Sequence, residues 1–173
     1  GAKNNIARGY GNLALFEAAP EFFGRNPGEQ RAMASGIRVG KTAKKDWTNS
    51  MRAYDVFDVK ADALAVIAAA KGPIEAPQIT TDAPSYYHPG RSGVIRLGKN
   101  VLAYFGELHP AILKALDIKT NVMAFEVFLD NIPLSRDVKS KAKKKLELSP
   151  LQAVDKDLAF VVARNVSAVS IAA

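Results

Sequence analysis

Strand-like segments joined by short turns, twice along the chain, do most to limit the folds open to this sequence. The first pair is residues 12–17 (NLALFE), resuming at 21–23, then a turn at 24–28 (GRNPG) and a second strand at 30–39 (QRAMASGIRV). Pro20 stands at an interruption or an edge, because proline has no N–H to give to an interior ladder. The second pair is residues 93–97 and 101–108, linked by Gly98-Lys99-Asn100, a polar turn suited to a hairpin. The clearest single strand covers residues 122–130, where Met123, Phe125, Val127 and Leu129 alternate with Ala124, Glu126, Phe128 and Asp130. A further strand is expected at 157–163 (DLAFVVA). Hairpins separated by few helices define the class as α+β, an antiparallel sheet flanked by helices, and not a doubly wound α/β fold.

Two segments have convincing helical character. Residues 59–71 (VKADALAVIAAAK) combine alanine-rich propensity with Asp58 as N-cap and a stop at Gly72-Pro73. Leu64, Ile67, Ala68 and Lys71 would share the buried stripe of this helix. His109-Pro110 opens a shorter one, since proline's missing N–H costs nothing in a first turn, and Ile112, Leu113 and Leu116 supply its inner face. Ser167 is a candidate N-cap for another helix at the end of the sequence. Residues 73–92, with four prolines, read as loop, and residues 1–11 as the end of an element that starts upstream. Residues 46–58 mix Trp47, Tyr54 and Phe57 with charges and favour neither helix nor strand.

A length of 173 residues suits one domain, or one domain with a fragment of a second. Cysteine is absent, which excludes disulfides, thiolate metal sites and cysteine nucleophiles and fits a reducing cytoplasm. No apolar run approaches the ~20 residues of a membrane span and no signal-peptide pattern opens the chain. The 24 Lys+Arg against 17 Asp+Glu leave a net charge of +7, a field that favours polyanions such as RNA without specifying one. Lys139, Lys141, Lys143, Lys144 and Lys145 form a basic run that reads as a solvated loop, with RNA contact as the alternative.

Enzymatic motifs fare poorly. Residues 35–42 (SGIRVGKT) imitate a phosphate-binding loop, but only three residues separate Gly36 from Gly40 and no apolar helix follows Thr42. A strand end running into a basic turn is the better reading. His88 and His109 each precede a proline and suit turn fixing or helix capping more than metal ligation or acid–base chemistry. No nucleophile elbow is present. The densest stretch, Tyr86-Tyr87-His88-Pro89-Gly90-Arg91-Ser92, could stack a base and clamp a phosphate, but packing against the sheet with Arg91 paired to a carboxylate fits its composition better.

Five motifs in series nevertheless carry a resemblance. Leu15-Phe16-Glu17, Tyr87-His88-Pro89-Gly90-Arg91-Ser92, Gly106-Glu107-Leu108-His109-Pro110, Ala124-Phe125-Glu126-Val127 and Asp157-Leu158-Ala159-Phe160-Val161-Val162 together resemble the beta chain of bacterial phenylalanyl-tRNA synthetase, over essentially the whole sequence. The resemblance implies a class II aminoacyl-tRNA synthetase catalytic-like module, non-catalytic, at residues 1–148. It implies the truncated start of a ferredoxin-fold anticodon-binding domain at residues 149–173. The enzyme so implied is a cytoplasmic alpha2-beta2 assembly that uses ATP and Mg2+ to join phenylalanine to tRNA.

Within that resemblance the active site is degenerate. Between Phe125 and Lys145 the only arginine is Arg136, and no Gly-x-Gly-x-Glu-Arg run exists. Without cations aimed at a nucleotide's phosphates, adenylate formation lacks its electrostatic support. No catalytic, cofactor-binding or metal residue is therefore assigned to this segment, which should be inert alone and act in scaffold and subunit interface. Lys156, where relatives carry arginine, keeps the charge and loses the bidentate fork. The alternative from another class is a stand-alone RNA-binding module using the basic run; a small enzyme built on His88 and Arg91 ranks third.

Overall fold

Both expected hairpins form, and the strongest strand lies between them. The computed structural model describes residues 1–43, 47, 51–72, 77–133, 151–152, 154–164, 166 and 169–172. In chain order the elements are α1 (Ala2–Ala7), β1 (Leu13–Phe22), β2 (Gln30–Val39), α2 (Val56–Ala69), β3 (Gln78–Thr80), β4 (Tyr87–Leu97), β5 (Asn100–Leu108), α3 (Pro110–Ala115), β6 (Val122–Phe128) and α4 (Val169–Ala172). The six strands form one sheet in the order β1-β2-β6-β5-β4-β3, with every neighbouring pair antiparallel. Two units divide the chain, Gly1–Val138 and Lys139–Ala173, and the whole sheet belongs to the first.

The sheet's layers follow from alternation. Ala34, Gly36 and Arg38 of β2 pair with Val127, Phe125 and Met123 of β6, and this set faces α2. Val59, Ala63 and Ile67 of α2 are buried against it, with Ile95, Ala103 and Phe105 completing the core. Burying each of Val59, Ile67 and Ile95 there is worth roughly 1.5–3 kcal/mol relative to exposure. The opposite face carries a smaller core of Leu13, Val39, Leu113, Ile118 and Val122, against which Ala2 and Ile6 of α1 pack. Because β6 is covered on both faces, six of its seven residues are buried.

One row across the α2-facing side sets the spacing of the sheet. Phe16, Gly36, Phe125, Phe105 and Gly93 stand in register on β1, β2, β6, β5 and β4. A Cβ on Gly36 would lie 2.5 Å from Phe125, and one on Gly93 would lie 2.6 Å from Phe105. The two glycines thus leave room for the two central rings.

Several boundaries differ from the sequence expectation. β1 runs unbroken from Leu13 to Phe22, and Pro20 is tolerated because β1 is a sheet edge. Helix α2 begins at Val56, not residue 59: Asp55 accepts from the Phe57 and Asp58 backbones, and Asp58 accepts from the Asp55 N–H. That reciprocal capping box makes Asp55 the N-cap and places Asp58 inside the first turn. Helix α2 ends at Ala69, with Lys71 left-handed (φ 60°), its N–H bonding Ala68 O while that of Gly72 bonds Ile67 O. The buried stripe is Val59, Ala63 and Ile67, with Leu64 half-buried and Ala68 and Lys71 exposed. In α3 only Leu113 is buried, and Ile112 and Leu116 remain exposed.

Part of the expected 73–92 loop is strand. β3 lies within it, and β4 starts at Tyr87 instead of residue 93, across a register shift between Tyr87 and Ser92 that accommodates Pro89. Opposite, Gly106 adopts φ +152°, and a Cβ there would strike Ser92 at 2.5 Å. Residues 157–163 form no strand; among the described residues of the second unit there is no strand to pair with, and an apolar run alone does not make a ladder. Ser167 lies outside the described residues. No described helix is long and apolar enough to cross a membrane.

Gly36→Ala is expected to destabilise the chain by about 1–3 kcal/mol, through forced movement of Phe125. Urea denaturation monitored by circular dichroism measures this, and an unchanged midpoint would show that the glycine–ring row is dispensable.

Candidate functional site

Five arginines of the first unit each engage a carboxylate of that unit. Glu21 and Arg31 stand opposite one another in the β1–β2 register, and the Arg31 Nε donates to Glu21 while its guanidinium covers the Phe128 ring at 4.2 Å. Arg38 projects from β2 to α2 and grips Asp62 with two donors at 2.8 Å, its guanidinium 5.4 Å from the Tyr54 ring. Arg52 forks onto Asp58 at 2.7 Å and also reaches Asp55, tying the preceding loop to the α2 N-terminus. Arg96 donates to Thr80 at 3.0 Å and pairs with Asp82.

Arg91 completes the set. It donates through Nε and Nη2 to Glu107, whose residue is only 3% exposed. The guanidinium pKa values of Arg38, Arg52 and Arg91 are all held above their ordinary value, chiefly by these hydrogen bonds to Asp62, Asp58 and Glu107. A bidentate fork already filled by a carboxylate has little left to offer a phosphate. Removing the guanidinium from a buried carboxylate is costly, so Arg91 is best understood as fixing β4 to β5.

The face away from α2 carries a second polar group. Glu17, Ser35, Glu126 and Tyr104 stand in register on β1, β2, β6 and β5. The Tyr86 hydroxyl donates to Glu126 at 2.7 Å. Burial pushes the Glu126 carboxyl above its usual range, helped by nearby Glu21 and opposed by the Tyr86 hydrogen bond and Arg31. Burial, then Glu126, raises the Tyr86 phenol. The Tyr87 ring lies 4.9 Å from that of Tyr86 and is 2% exposed, and its hydroxyl has no hydrogen-bond partner among the described residues. A concavity of about 350 Å3 beside this row is lined by Glu17, Ser35 and Glu126 together with apolar Leu15, Ile37 and Ala124.

The edge strand is the other distinctive surface. β1 is exposed along most of its length on both faces, and it displays Phe16 (63% exposed) and Phe22 (68%), with Phe23 beyond its end. The other edge, β3, is only three residues long. A long apolar edge with unpaired backbone groups favours association with another strand or surface.

The residues singled out from sequence divide clearly. Tyr86–Ser92 packs as expected: Tyr87 is buried, Arg91 is paired, the Ser92 hydroxyl donates to His88 O at 2.7 Å, and His88 Nδ1 accepts from Gly90 N. His109 caps α3 by accepting from the Ala111 backbone. Residues 35–39 of the phosphate-loop mimic belong to β2, and Gly40 turns the chain with φ +86°. Lys139, Lys141, Lys143, Lys144 and Lys145 lie outside the described residues. Sequence reasoning missed the exposure of β1 and the Arg31–Glu21 and Arg38–Asp62 pairs. The hairpin register around the 24–28 turn could have found the first pair; the second needed the position of α2.

Known proteins bear on this arrangement. Residues 1–129 match the family model described as the phenylalanyl tRNA synthetase beta chain CLM domain. The chain is 50% identical over 166 residues to the phenylalanine–tRNA ligase beta subunit of Rhodospirillum rubrum, covering 96% of this chain and 21% of that protein. Against the same subunit of Cereibacter sphaeroides it is 46% identical over 170 residues, 98% of this chain and 21% of the relative. The chain thus spans about a fifth of the length of these relatives. Among solved structures, a pyrrolysyl tRNA synthetase from Desulfitobacterium hafniense superposes with a TM-score of 0.52 at 15% identity, over 73% of this chain and 43% of that one, a likeness of fold alone.

Because the folded-state pKa of Glu126 is raised, its contribution to stability is complete below the ordinary carboxylate range and is lost as pH rises through the raised value. Glu126→Gln, which retains an acceptor for Tyr86, should therefore match the parent near roughly pH 4 and gain on it toward about pH 8. Urea titrations of both proteins across that range test the point; a difference that stays flat with pH refutes it.

Proposed function

The chain belongs to the phenylalanyl-tRNA synthetase beta-chain family, and we propose that it serves the ligase as a non-catalytic scaffold and subunit-interface module. On this reading the whole enzyme joins phenylalanine to its tRNA with ATP and Mg2+ in the cytoplasm. This segment's partner is the alpha subunit, within an alpha2-beta2 tetramer. Residues 1–148 make up the catalytic-like module with a class II synthetase fold, and residues 149–173 open an anticodon-binding domain.

The observation that carries the interface reading is the exposed, apolar β1 edge with Phe16 and Phe22. Its unpaired backbone and two aromatic anchors offer what a partner surface needs. The scaffold reading draws support from the arginines, because five guanidinium groups brace strands, helix and loops through carboxylates of the same unit.

The five arginines described above are already paired with carboxylates, which leaves those guanidinium groups little to offer the phosphates of Mg2+-ATP. Among the described residues no three His, Asp or Glu side chains converge into a metal-holding group. The described carboxylates nearest the arginines are engaged in the pairs above. On the proposed reading, ATP and the metal belong to other parts of the assembly.

Phe16→Asp in the whole beta subunit is expected to weaken association with the alpha subunit by about thirtyfold or more, the loss of one aromatic anchor worth ~2 kcal/mol. Copurification and sedimentation velocity read the assembly, and thermal denaturation of the same variant checks its folding. Unaltered tetramer with unaltered aminoacylation would falsify the interface reading.

Calorimetric titration of the 173-residue chain with ATP and phenylalanine should give no binding heat. Micromolar affinity for either, or pyrophosphate exchange, overturns the inert reading.

The alternative reading of the basic run, contact with tRNA in the assembly, has its own test. Replacing Lys139, Lys141, Lys143, Lys144 and Lys145 by alanine should lower tRNA affinity and flatten its salt dependence, by about one unit of log–log slope for each phosphate no longer neutralised. Filter binding over a salt series measures this, and an unchanged slope removes the run from the RNA interface.

A further inference from the structure

We draw no further inference here: the strongest candidate, the apolar slot of about 340 Å3 between β1 and α2 lined by Ala14, Phe16, Ala65, Val66 and Ala69, is an unpartnered face, and nothing in the structure shows what covers it.

Discussion

Close packing of Phe125 and Phe105 against two glycines is the constraint on which the sheet depends. The four residues stand side by side on adjacent strands, and the rings occupy space that any Cβ at residues 36 or 93 would claim. With the rings so placed, Val59, Ala63 and Ile67 of α2 can close over β5 and β6. Shape complementarity of this kind contributes through dispersion and exclusion of water, and it tolerates little change in volume. The rest of the first unit is arranged around that layer.

Charge is distributed to hold this framework. Arg38 fastens β2 to α2, Arg52 fastens the incoming loop to the α2 N-terminus, and Arg91 fastens β4 to β5. The exposed pairs add little to stability individually. The Arg91–Glu107 pair differs because its carboxylate is buried, so its geometry matters more than its strength. Five arginines of the first unit are in this way engaged in bracing it. The chain's distinctive surface lies instead at its edge, where β1 keeps apolar side chains and backbone hydrogen-bonding groups open.

Much of this was legible in residue order. Both hairpins, the α+β class and β6 follow from alternation and turn chemistry, which are local properties. The packing of Tyr86–Ser92 was also readable, though not its place in β4, since aromatic residues beside a lone arginine favour burial and pairing. The errors have equally physical causes. The early start of α2 was hidden because Val56 and Phe57 are weak helix formers, and the capping box between Asp55 and Asp58 overcame that preference. The strand expected at 157–163 did not form because an apolar run supplies side chains, whereas a ladder needs a neighbouring backbone.

Sequence alone determined the two hairpins, β6, the body of α2 and the family, because propensity, turn chemistry and motif order are written in contiguous residues. Tertiary structure decided which arginine meets which carboxylate, which glycine sits under which ring, and which strand is left at the edge. Those outcomes depend on sheet order and on the placement of α2. Residues such as Arg38 and Asp62, or Gly36 and Phe125, are far apart along the chain and become neighbours only through folding.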